Sequence, residues 1–349
     1  MKPVTVPFFI SHQGCPHTCV FCDQRTISGA NGNLPTAAEI IARIDLWRST
    51  ADGRPLEVAF FGGTFTALPE KIQLELLAPL QPLLDSGEVR SVRISTRPDY
   101  IDAARVAWLA EKGVRTIELG VQSLDDAVLA ASGRGHSAAE SLAAISCIKD
   151  GGIAVGVQLM PGLPGDTPTS SLHSLDLAIA GGADFFRIYP TVVLRGTELA
   201  RRYIAGEFTP LTLGRGVSLC KLLLQRAMQS GIPVIRIGLQ ADNGLNDDSI
   251  LAGCWHPALG QLVRSQLYAD LVCRSVPPGR RVTVFCRPER LSDVVGVKRG
   301  NVQRQADRGV EMIVATDTTL KNEELTIQME DSTATYSVIS DLHYSIHEV

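Results

Sequence analysis

Seven short apolar runs alternate with stretches of helical spacing over the first 238 residues: Val4–Ile10, Leu56–Phe61, Val89–Ser95, Thr116–Gly120, Ala154–Leu159, Phe185–Tyr189 and Pro233–Gly238. The helical stretches between them are Ala37–Trp47, Ile72–Leu84, Ala103–Lys112, Ser137–Lys149, Leu172–Ala180 and Val217–Gln229. Strands and helices alternating at these lengths build βαβ units and a parallel sheet. The strand runs are nearly continuously apolar, as strands covered by helices on one side and packed inside on the other should be. Polar and glycine-rich signals follow the strands: a cysteine loop, Gly62-Gly63-Thr64, Thr96-Arg97-Pro98-Asp99, Gln122, Pro161-Gly162-Leu163-Pro164 and Pro190-Thr191. In barrel-like β/α folds the active site is built from the loops at the carboxyl ends of the strands. Core packing alone does not favour that distribution.

The cysteine loop carries the sharpest chemistry. Cys15, Cys19 and Cys22 form a C-x3-C-x2-C triplet directly after the first apolar run, with no fourth cysteine nearby. Three thiolates on one short loop hold three corners of an iron–sulfur cube and leave the fourth iron open to a substrate or cofactor. A structural zinc site wants four closed ligands, and His12 or His17 is on hand to complete a Cys3His set, although His17 lies inside the first gap. A disulfide leaves one cysteine over, and a thioredoxin-like pair does not account for Cys15. Cys147, Cys220, Cys254, Cys273 and Cys286 are scattered and read as small buried apolar residues. Only Cys254, beside Trp255 and His256, stands out among them.

At 349 residues the chain is long enough for one large domain and a smaller one, expected at 1–240 and 250–349, with residues 239–249 as a polar linker. A net charge of −4 leaves no global basic footprint for nucleic acid. The N-terminus does not read as a signal peptide, no apolar run of ~18 residues appears, and a cytoplasmic protein with no membrane partner is the expectation. After a helix near Ala258–Val272, the strand candidates Arg281–Phe285, Val310–Ala315, Glu324–Gln328 and Thr335–Ile339 give a small β-rich C-terminal domain. Residues 273–308 hold nine Lys/Arg against Glu289, Asp293 and Asp307, whereas residues 309–349 hold Lys321 against eight Asp/Glu. Either the basic half meets RNA phosphates or the two halves neutralise each other.

The triplet after the first strand, Gly62-Gly63-Thr64 after the second and the β/α repeat together resemble the radical S-adenosylmethionine superfamily. Four further motifs resemble the radical domain of the catalytic subunit of Elongator, over residues 4–240: Ser95-Thr96-Arg97-Pro98-Asp99-Tyr100, Glu118-Leu119-Gly120-Val121-Gln122-Ser123, Gly133-Arg134-Gly135-His136 and Ile188-Tyr189-Pro190-Thr191 with Arg195-Gly196-Thr197. The resemblance implies an α/β fold, a partial (β/α)6 barrel with the β-rich domain appended, and two cofactors, a [4Fe-4S] cluster and S-adenosylmethionine. It implies that Cys15, Cys19 and Cys22 bind the cluster. Gly62, Gly63 and Thr64 then meet the methionyl amine, Gln122 and Arg134 the methionyl carboxylate, Ser95 and Gln158 the ribose, and Tyr189 the adenosine. Relatives often carry a glutamate where Ser95 stands; serine hydrogen-bonds there without a charge.

The implied reaction is reductive cleavage of S-adenosylmethionine to a 5′-deoxyadenosyl radical that abstracts hydrogen. An electron donor such as ferredoxin or flavodoxin is the implied partner, and tRNA or another RNA the implied substrate. The 111 residues after Gly238 are too few for the acetyltransferase domain that continues the Elongator subunit, and no pyrophosphate loop of that domain is recognisable. Two other readings stay open. One keeps the radical chemistry on a tetrapyrrole or other small molecule, as in oxygen-independent coproporphyrinogen oxidases. The other is a non-catalytic zinc-containing RNA-binding adaptor.

Overall fold

The computed structural model describes residues 3–24, 33–239 and 248–348, and every one of the seven apolar runs is a strand of one sheet. The strands are β1 (Val4–Phe9), β2 (Leu56–Phe61), β3 (Val89–Thr96), β4 (Val114–Gln122), β5 (Ala154–Leu159), β6 (Phe185–Ile188) and β8 (Val234–Ile237). All pairs are parallel, in the order β1-β2-β3-β4-β5-β6-β8. Because the order never reverses, right-handed crossovers put every connecting helix on the same face. The other face curls into a lumen. Six crossovers lead into the seventh strand, which is the partial barrel of six β/α units that the sequence predicts.

The helices of the outer layer are α1 (Ala37–Arg48), α2 (Glu70–Leu77), α3 (Gln81–Asp85), α4 (Ala103–Glu111), α5 (Asp126–Ala131), α6 (Ala138–Asp150), α7 (Pro168–Ala180), α8 (Glu198–Ile204) and α9 (Leu213–Gln229). Seven of these nine starts are set by side-chain caps, α2 and α3 being the exceptions. Thr36 with Glu39, and Ser137 with Glu140, form capping boxes that satisfy the first free N–H groups. The helix expected over Ile72–Leu84 is broken by a 3-10 turn, Ala78–Leu80, because Pro79 and Pro82 remove the N–H groups that would continue it. α9 starts earlier than its apolar spacing shows. Gly214 and Gly216 hide its first turn, and Gly216 is there because a Cβ would collide with the Cys254 side chain. Cys254 is therefore a 1% exposed packing residue, with burial pushing its thiol up to about 12, and is not part of the cysteine loop.

Two short strands were missed by sequence reasoning. β7 (Val192–Leu194) and β9 (Ile250–Gly253) form an antiparallel ribbon. The expected linker at 239–249 falls largely outside the described residues, at 240–247. The C-terminal sheet has the order β11-β10-β12-β13, made of β10 (Arg281–Cys286), β11 (Glu311–Thr316), β12 (Glu324–Gln328) and β13 (Thr333–Ser337). Helices α10 (Leu259–Ser275), α11 (Leu291–Val295) and α12 (Gly300–Ala306) accompany it, and the last two had no expectation. One buried apolar cluster runs from the barrel through Leu219 and Leu223 of α9 and Val263 and Leu267 of α10 to Val282, Val284, Leu325 and Ile327.

The uneven charge of this region is largely settled internally. Arg274–Glu348, Arg280–Asp331 and Arg281–Glu311 pair across its two halves, and Arg287–Glu289 and Arg290–Asp293 within one. No helix among the described residues is long and apolar enough to cross a membrane.

Candidate active site at the carboxyl ends of the strands

The cysteine loop is fixed at both ends by backbone. Ile10 N–H donates to the Phe61 carbonyl at 2.8 Å, and Thr64 N–H to the Gln13 carbonyl at 2.8 Å, so the loop is laced to the turn after β2. That lacing is why Gly63 is glycine: it sits at φ +58°, and a Cβ there would lie 2.5 Å from the Ile10 carbonyl oxygen. Farther along, Val20 and Phe21 bury themselves with Val128, Leu163, Val193 and Leu199, so the β7–β9 ribbon and α8 back the loop. Val20 N–H donates to the Ser132 carbonyl at 3.1 Å, and the Leu199 N–H to the Val20 carbonyl at 2.7 Å.

A cavity of about 250 Å³ opens above this loop. Its wall brings together Cys15, Cys19, Cys22, Gly62, Gly63, Thr64, Ser95, Gln122, Arg134 and Gln158, ten of the eleven residues expected there. Tyr189, expected at the adenosine, is not in the wall. Its hydroxyl accepts from Arg187 Nη1 at 2.9 Å instead, facing the lumen one residue beyond β6. Eight further residues line the wall: Thr18, Gln24, Thr96, Arg97, Glu118 and Gly120, which had no assigned role, and His12 and His17, the alternative zinc ligands. Glu118 had a signal, since it is a charged residue buried in the middle of a strand.

The cysteines are held by different elements. Cys15 Sγ lies 3.4 Å from Thr64 Oγ1 after β2, and Arg134 Nη1 donates to Cys19 Sγ at 3.2 Å from the turn after α5. The other Arg134 amino group donates to the Gly120 carbonyl, and its buried Nε has no partner. Burial, then the neighbouring Cys19 and Cys15, pushes the Cys22 thiol up to about 12, and burial raises Cys15 as well. Cys15 and Cys22, buried in this way, resist ionising alone, and a cationic iron core would remove that penalty. Among the described residues no three metal-ligating side chains are already drawn into a ligand set. His12 Nε2 accepts the Gln24 N–H at 2.9 Å, so this histidine is turned to Gln24 and not to the thiols. His17 packs its ring on Gly135, where a Cβ would come within 2.5 Å of Nε2. The donor set, the orphaned Nε and the glycine turn fit a three-cysteine cluster with a chelating ligand better than a closed Cys3His zinc site.

Behind Arg134 lies a buried support. Arg97 grips Asp99 with two bonds of 2.9 and 3.0 Å and donates to the Arg134 carbonyl. His136 Nε2 is 3.3 Å from the Val121 carbonyl. Burial first, then Arg134 and Arg97, holds His136 down at about 4, so its ring is neutral near pH 7. Gln122 takes a left-handed backbone, φ +71°, at an irregularity in the β4–β5 pairing. This turns its amide toward the cavity, where Gln158 Nε2 donates to Gln122 Oε1 at 3.1 Å.

Below the cavity the lumen is crossed by an ionic network. Arg93 on β3 bonds Glu57 at 2.9 Å and Glu118 at 2.7 Å, and Arg187 on β6 lies 2.9 Å from the second Glu118 oxygen.

The profile of the radical SAM superfamily matches residues 9–178, and that of the Radical_SAM C-terminal domain residues 183–269. The tRNA uridine(34) acetyltransferase of Methanocaldococcus infernus is 29% identical over 239 residues, 56% of this chain and 44% of that protein. Elongator complex protein 3 of Saccharomyces cerevisiae is 25% identical over 284 residues, 66% of this chain and 51% of that protein. The chain thus spans about half the length of these curated relatives. The structure of Methanocaldococcus infernus Elp3 with an N-terminal deletion superposes with a TM-score of 0.61 at 24% identity, covering 76% of this chain and 62% of that one, and shares the fold. With the cysteine triplet, the glycine turn and the half-barrel in one site, the chain belongs to the radical SAM superfamily of enzymes.

Proposed function

We propose that this protein reductively cleaves S-adenosylmethionine and directs the resulting radical at an RNA, with tRNA as the substrate. The observation that carries the chemistry is the single cavity shared by the cysteine triplet, Gly62-Gly63-Thr64, Gln122, Arg134 and Gln158. Cys15, Cys19 and Cys22 would hold a [4Fe-4S] cluster, which when bound supplies the low-potential electron for cleavage. The backbone at Gly62 and Gly63 would meet the methionyl amine, and the Arg134 guanidinium in the cavity wall would meet the methionyl carboxylate. Ser95, Gln122 and Gln158 offer neutral polar groups to the ribose and methionyl end. The tRNA assignment rests on the named relatives, and a ferredoxin or flavodoxin fits as electron donor.

Anaerobic reconstitution with iron and sulfide, then incubation with S-adenosylmethionine, reductant and bulk tRNA, tests both halves. Brown protein, release of 5′-deoxyadenosine and a new nucleoside mass in the tRNA digest are expected, all lost when Cys15, Cys19 or Cys22 is replaced by alanine. Colourless protein carrying stoichiometric zinc, with no 5′-deoxyadenosine, would overturn the chemistry. Cleavage with an unchanged nucleoside profile would overturn the tRNA assignment alone.

A further inference from the structure

The two margins of the open barrel carry a constellation that the cavity does not use. Arg187 on β6 and Arg236 on β8 are register partners in a parallel pair, so their side chains leave the sheet on the same face, side by side. Arg187 is answered by Glu118. Arg236 is half-buried, and among the described residues its only hydrogen-bond partner is the Gly238 carbonyl, at 3.2 Å. Neighbouring like charges in a sheet are destabilising, and among the described residues Arg236 is within ion-pair distance of no carboxylate.

Across the lumen stand two aromatic rings. Phe9 and Phe61 are register partners on β1 and β2, with centroids 6.1 Å apart, and the Arg187 guanidinium lies 5.3 Å from the Phe61 centroid. Phe9 is 38% exposed, an uncovered aromatic at the end of the edge strand. Among the described residues β1 and β8 are the two unpaired edges of the sheet, so Phe9 and Arg236 stand on opposite margins of the half-barrel. The Arg187–Phe61 contact lies between them.

We propose that this opening docks a nucleotide of the substrate, its phosphate at Arg236 and its base on the exposed ring of Phe9. The inference rests on the RNA reading above and names the residues of this chain that hold the substrate. A guanidinium on one margin and an exposed ring on the other offer the two contacts a single-stranded nucleotide makes, an ion pair to phosphate and a stacking face. A carboxylated ring such as a porphyrin shares that chemistry, and the experiment separates the two sources.

Binding of a fluorescently labelled hairpin RNA and of a carboxylated porphyrin is measured over a range of salt for the full chain and for Arg236→Gln, Arg236→Lys and Phe9→Leu, with thermal midpoints to establish folding. Arg236→Gln is expected to weaken RNA binding about tenfold and to lower the salt slope by about 1. Arg236→Lys is expected to restore the slope, and Phe9→Leu to weaken binding roughly tenfold with the slope unchanged. RNA binding that is indifferent to both positions in folded variants overturns the docking site and leaves the RNA reading standing. Absence of RNA binding by the unmodified chain overturns that reading, and Arg236-dependent porphyrin binding then replaces the nucleotide as occupant.

Discussion

The guanidinium of Arg187 lies 5.3 Å from the ring centroid of Phe61, although β6 and β2 are four strands apart in the sheet. In a flat sheet that separation is about 19 Å. The contact exists because the sheet curls, and it ties the two sides of the lumen together beneath the cavity. The same arginine shares Glu118 with Arg93, which makes Glu118 the hinge of the network.

Glu118 is 6% exposed between two arginines. Glu118→Gln keeps the shape and removes the charge, leaving Arg187 without an anionic partner. Breaking one side of such a pair typically costs 3–5 kcal/mol, and the Glu57 carboxylate that still holds Arg93 offsets part of it. A loss of about 3 kcal/mol in urea unfolding is expected. A loss under about 0.5 kcal/mol would mean the network is solvated and contributes little.

Gly63→Ala should be far more costly than Gly152→Ala. Both glycines have positive φ, +58° and +72°, but the added methyl at Gly63 meets backbone oxygens that cannot move aside, and at Gly152 nothing lies within 4 Å. About 1 kcal/mol is expected for Gly152 and about 3 kcal/mol or more for Gly63, by urea unfolding. Equal losses would show that the loop after β1 yields to the methyl group.

Arg134→Lys is not conservative at this site. One ammonium cannot span Cys19 Sγ and the Gly120 carbonyl and also present a third donor. Loss of a charged hydrogen bond of about 2 kcal/mol corresponds to roughly thirtyfold weaker S-adenosylmethionine binding, measured by calorimetry on reconstituted protein. Unchanged affinity in the lysine variant would remove Arg134 from the carboxylate site.

His136 gives the protein an acid-sensitive support. Its value in the fold, about 4, lies below the ordinary 6.5, so the unfolded chain takes up a proton that the folded one refuses. Its contribution is complete above pH 6.5 and is lost as pH falls from 6.5 toward 4, up to about 3 kcal/mol. Thermal midpoints of the wild type and His136→Gln should converge over that window. Parallel curves would show that the ring protonates freely in the fold.

The positions of the strands, the cysteine triplet and the glycine turn were legible because each is local: an apolar run, a spacing, a pair of adjacent residues. The β7–β9 ribbon was not, since strands of three and four residues are too short to show a period. The start of α9 was concealed for the opposite reason, a tertiary contact with Cys254 that demanded glycine where a helix prefers alanine.

By itself the sequence determined the β/α alternation, which calls for a parallel sheet, and the three-cysteine loop at its first strand end. Only the tertiary structure decided which side chains meet there. Arg134 reaches Cys19 across 115 positions of chain, and Gln158 meets Gln122 because β4 and β5 pair around a left-handed residue. Tyr189, placed by motif at the adenosine, turned to Arg187 in the lumen. Register and sheet curvature set those meetings, and both arise from packing summed over the whole barrel, which no local spacing encodes.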